Sequence, residues 1–97
     1  MILKTKKGET LSIYRELNSF GQYNLVVRCY SKPVTGVKVT KTNGEFAYMP
    51  ALQVGETGTF SYREFNDQKS LGERERFCFE FDEFEPRWIN MSHLPIN

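Results

Sequence analysis

Apolar and polar residues alternate with period two along much of this chain. In RFCFEFD, residues 76–82, Phe77, Phe79 and Phe81 fall on one face and Arg76, Cys78, Glu80 and Asp82 on the other. A strand sends successive side chains to opposite faces, so the segment reads as a half-buried strand with its rings in a core. TFSYREF, residues 59–65, sets Phe60 and Tyr62 against Thr59, Ser61 and Arg63 in the same way. YNLVVRCYS, residues 23–31, is rich in the β-branched and aromatic residues that suit a pleated surface. VKVTKTNGEFAYM holds Asn43-Gly44 between two extended runs, the signature of a two-residue type I′ hairpin turn.

One segment supports two readings. In TLSIYRELNSFG, Leu11, Tyr14 and Leu17 keep helical spacing, yet Leu11 and Ile13 also alternate; the strand reading is preferred over residues 10–18. Breaks at NSFG (18–21), KPVTG (32–36), YMPA (48–51), VGETG (54–58) and NDQKSLG (66–72) keep the strands short. Ser70 and Glu73 match an S-x-x-E capping box with Gly72 inside it, which allows one helical turn at most. The expected fold is all-β and mainly antiparallel, a small β-sandwich or barrel of about six or seven strands. Each strand must bury one face against another sheet. LQVGETGTFSY, residues 52–62, resembles the turn-then-strand corner of immunoglobulin-like sandwich domains, but the chain lacks that family's inter-sheet arrangement of Cys and Trp.

Composition narrows the function more than it defines it. Ninety-seven residues allow one core, expected to occupy residues 1–85, with an apolar C-terminal tail at 86–97. Apolar residues make up 39% and charged residues 26%, the balance of a globular chain. Thirteen Lys and Arg against twelve Asp and Glu give no long-range attraction to nucleic acid or anionic membrane. No apolar run approaches the roughly 18 residues of a membrane span, and MILKTKKGET lacks the apolar stretch of a secretory signal, so the expected location is cytoplasmic. Cys29 and Cys78 lie far apart without C-x-x-C spacing and read as free thiols, with a disulfide between adjacent strands as the alternative.

Little in the chain suggests catalysis. The single histidine, His93, lies near the end, where a rigid environment is hard to build. Glu80 and Asp82 share a strand face, the placement of an acid and base pair, but also that of any solvated strand face. Neither a phosphate-binding loop nor a dinucleotide fingerprint occurs, and no cofactor or metal is expected. The expected function is non-catalytic: a module that binds another protein, or a second copy of itself, as an assembly subunit, adaptor or inhibitor. The interface candidates are Trp88, Ile89, Met91 and Leu94, because RWINMSHLPIN is apolar beyond the final predicted strand; the competing reading folds this tail back as a lid over the core. The alternative function is a single-stranded nucleic-acid-binding barrel, in which Tyr62 stacks on bases while Arg63, Arg74 and Arg76 meet phosphates.

Overall fold

A computed structural model describes residues 1–5, 8, 10–81 and 84–96. Among the described residues, eight strands follow one another: β1 (Ile2–Lys4), β2 (Thr10–Leu17), β3 (Tyr23–Cys29), β4 (Val34–Lys41), β5 (Phe46–Leu52), β6 (Thr57–Phe60), β7 (Arg76–Glu80) and β8 (Arg87–Asn90). They form two antiparallel four-stranded sheets, ordered β1-β2-β3-β6 and β5-β4-β7-β8, packed face to face as a β-sandwich. Residues 10–17 are strand, with Leu11, Ile13 and Arg15 turned inward. The phenylalanines of 77–81 line the core as their alternation predicts, with Phe77 tilted between Phe65 and Phe79 at centroid distances of 6.4 and 6.5 Å.

Core packing also decides the β4–β5 turn. Val37 faces Met49 and Val39 faces Ala47, all four buried, and this register closes the hairpin at Lys41 and Glu45. A shift of one residue would turn one strand's apolar set outward, so the loop must hold three residues rather than two. Asn43 therefore does not adopt a positive φ, and the predicted type I′ turn is replaced by a type I turn with Gly44 at φ +89°. The β2–β3 loop has the same frame: Gly21 sits at φ +77°, and Asn18 Oδ1 accepts the N–H groups of Phe20 and Gln22 at 2.9 Å each.

Three other expectations are corrected. The strand predicted through residues 59–65 stops at Phe60, because Ser61 and Glu64 form a capping box that starts a 3-10 turn over Tyr62–Glu64. The signal was S-x-x-E at 61–64, nine residues before the Ser70 and Glu73 match in the same β6–β7 connection. YMPA at 48–51 does not break a strand: Pro50 lies within β5, an edge strand, where the missing N–H costs no central ladder bond. The tail expected at residues 86–97 is, over the described residues 86–96, part of the sandwich. Arg87–Asn90 pairs with β7 as an edge strand, a 3-10 turn follows at Met91–His93, and the chain crosses to the first sheet, where the Arg15 N–H donates to the Pro95 carbonyl at 2.9 Å. The end of the chain thus ties one sheet to the other. On the side of the sandwich where β5 and β6 are the edges, Met49 rests on Gly58, where any Cβ would collide with the thioether.

Candidate binding surfaces

The four predicted interface residues part company on β8 and the turn after it. Ile89, Met91 and Leu94 are buried in the protein's own core, which corrects their assignment to a docking surface, whereas Trp88 is 46% exposed on the opposite side of the strand. Strand periodicity explains the split: neighbours in RWIN point to opposite faces. The predicted nucleic-acid residues also divide. Tyr62 and Arg63 line a groove at one end of the first sheet, while Arg74 and Arg76 line another beside Glu73 and Asn90; neither of these grooves holds all four.

Trp88 belongs to a surface that the sequence reading did not assemble. On the outer face of the second sheet, the register aligns Phe46, Thr40, Cys78 and Trp88 in one row across all four strands. Tyr48, Lys38 and Glu80 form the next row. Phe46 and Tyr48 are 48% and 68% exposed. Lys38 Nζ lies 4.7 Å from the centre of the Phe46 ring and 4.0 Å from Glu80, and the Arg76 guanidinium lies 5.8 Å from Trp88 while donating to Asn90 at 3.0 Å. Cys78, between the aromatic ends of the first row, is buried, and burial followed by the charge of Glu80 raises its thiol pKa. A signal for Phe46 and Tyr48 was present: FAYMPAL alternates, and its larger rings occupy the face opposite Ala47 and Met49.

The groove at the end of the first sheet lies between the β2–β3 loop and the 3-10 turn that follows β6. Its volume is about 500 Å³, and it is lined by Asn18, Phe20, Gln22, Asn24, Ser61, Tyr62 and Arg63. Arg63 Nε donates to the Tyr62 hydroxyl at 3.3 Å, and Glu64 accepts from the Ser61 N–H and hydroxyl at 2.6 Å, which fixes this wall.

The candidate catalytic groups have ordinary settings. His93 is exposed; Glu80 lies beside Lys38, and Asp82 is outside the described residues. Cys29 lies in the core and donates to the Lys32 carbonyl at 2.9 Å, Cys78 is on the far side of the other sheet, and the two do not form a disulfide. Among the described residues, no group of three or more His, Cys, Asp or Glu is arranged to hold a metal, and no helix is long and apolar enough to cross a membrane. No family model, curated protein or solved structure matches the chain.

Proposed function

We propose that the protein is a non-catalytic protein-binding module whose contact surface is the outer face of the second sheet. One observation carries the reading: Phe46, Tyr48 and Trp88 all present exposed rings on that face, with Lys38 and Arg76 beside two of them. Trp, Tyr and Arg are the residues that anchor protein interfaces, and a sheet face offers area to a macromolecule rather than the enclosure a small ligand needs. The neighbouring cations also favour protein over a nucleic acid strand, because Lys38 and Arg76 already engage ring faces on which bases would stack. The role is that of an assembly subunit, adaptor or inhibitor, with another protein or a second copy as partner.

The test compares the native protein with the triple variant Phe46→Ser, Tyr48→Ser, Trp88→Ser. Light scattering over a range of concentrations reads self-association, and quantitative capture from the native lysate reads other partners. The expected result is a dimer, or a defined captured protein, that the triple variant loses while keeping its β spectrum. A monomer at all concentrations, together with identical capture profiles for the two proteins, refutes the reading.

A further inference from the structure

The groove at the end of the first sheet carries an inference independent of the aromatic face. Phe20 is 86% exposed at the tip of the β2–β3 loop, so it contributes almost nothing to the core, yet the loop is built to hold it there. Asn18 fixes the loop through its two bonds to backbone N–H groups, and Gly21 supplies the positive φ that follows Phe20. The opposite wall carries a second ring, the half-buried Tyr62, held by its bond with Arg63.

Three carboxamides line the same groove, and each is anchored by one donated bond. Asn18 Nδ2 donates to Gln22 at 3.3 Å, Gln22 Nε2 donates to Ser70 at 3.2 Å, and Asn24 Nδ2 donates to Glu16 at 3.5 Å. A carboxamide has two N–H donors and an acceptor oxygen, so each anchor leaves a second N–H, and Asn24 also keeps its oxygen without a partner among the described residues. The groove thus presents planar donors and acceptors beside the exposed ring of Phe20 and the half-buried ring of Tyr62, which packs against the core with the Arg63 guanidinium 5.7 Å from its centre. Vicinal hydroxyls of a sugar, each both donor and acceptor, match planar amides; the C–H face of the same ring matches an aromatic surface.

Charge and shape select within that chemistry. Arg63 is the only charged residue among the seven that line the groove, and Glu64 follows it directly, so a run of phosphates finds little compensation there. The volume of about 500 Å³ falls in the range of small-ligand sites, and the groove is open to solvent rather than an enclosed cavity. We infer that this groove binds a neutral oligosaccharide, with Phe20 and Tyr62 against sugar rings and Asn18, Gln22, Asn24 and Arg63 bonding hydroxyls.

The experiment titrates the full chain, labelled with ¹⁵N, with cellohexaose, maltohexaose, mannohexaose and chitohexaose, and separately with a single-stranded DNA of about 20 nucleotides. At least one saccharide is expected to shift the side-chain amide signals of Asn18, Gln22 or Asn24 saturably. Phe20→Ala, which removes an exposed ring and leaves the core intact, is expected to weaken that binding about tenfold or more. Trp88→Ala, on the other sheet, is expected to leave it unchanged, which separates this inference from the protein-binding surface. The inference is overturned if no saccharide at about 10 mM, well into the weak-binding range, moves these signals. It is equally overturned if Phe20→Ala has no effect on the affinity, if Trp88→Ala abolishes binding, or if only the DNA produces the shifts.

Discussion

Adjacent residues on β8 give opposite expectations, and the contrast tests both the sandwich and its proposed surface. Ile89 is 4% exposed and packs within the core cluster, so Ile89→Ala loses transfer free energy and leaves a cavity that its strand neighbours cannot fill. Such truncations cost about 2–5 kcal/mol, a large part of the roughly 5–15 kcal/mol that holds a domain together. Trp88→Ala removes the larger side chain but opens no cavity, since the indole lies on the outer face and is half exposed. Its loss is limited to a cross-strand pairing of roughly 0.2–1 kcal/mol with Cys78 opposite, plus a contact with Arg76 worth about 0.5–1 kcal/mol. Between the middles of these two ranges, Ile89→Ala should destabilise the protein by about 2 kcal/mol more than Trp88→Ala, a gap in Tm of roughly 8–16 °C. Urea unfolding followed by far-ultraviolet circular dichroism measures both variants without relying on the tryptophan. Equal costs, or a greater cost for Trp88→Ala, would show that the indole is a core residue and refute the orientation of β8 together with the binding surface built on it. The native protein should also emit toward the red when its only tryptophan is excited, shifting to the blue as a partner covers Trp88.

The other predictions concern the turn, the buried ion pair and the buried guanidinium. Gly44 at φ +89° closes the β4–β5 hairpin, so Gly44→Val should cost more than about 1 kcal/mol in thermal unfolding, the scale of a β-branched residue forced into the left-handed region. Lys41 is 2% exposed and bonds both carboxylate oxygens of Asp67 at 2.8 and 2.9 Å; these bonds, then one from Asn43, hold the Asp67 carboxyl down to about 2. The folded pKa lies below the unfolded value, so the stabilisation is in place above about pH 4 and is lost as pH falls toward 2. Asp67→Asn should be less stable at neutral pH, and its difference from the native protein should shrink across that window; a difference independent of pH would refute the pairing. Arg15 buries Nε and Nη1 without hydrogen-bond partners, with Glu73 only at 3.9 Å, and its guanidinium lies 5.0 Å from the Tyr23 ring. Arg15→Met keeps the apolar stem and removes the unsatisfied donors, so its unfolding midpoint in urea should equal or exceed that of the native protein.

Local pattern was enough to establish the fold class and the heart of the core. Period-two alternation at residues 76–82 committed Phe77, Phe79 and Phe81 to one face, and nothing in the tertiary structure had to override it. The Gly44 turn position was likewise a local matter, fixed by the one residue that tolerates positive φ, whereas spacing in residues 10–17 allowed helix or strand and the pairing of β2 with β1 and β3 decided it. Alternation shows that two faces differ, but it does not say which neighbour covers each face. RWINMSHLPIN therefore looked like an unpartnered apolar tail, and only the pairing of β8 with β7 and the crossing to Arg15 showed Ile89, Met91 and Leu94 to be core. The turn type at Asn43 depended on a register set by Val37, Val39, Ala47 and Met49, a constraint spread over two strands and the opposing sheet. Both candidate surfaces are similarly non-local. Phe46 and Trp88 lie at opposite edges of one sheet, and Phe20 and Tyr62 line one groove only because β6 returns beside β3. Sequence determined which side chains were available to bind, and chain pairing over long separations decided which of them share a surface.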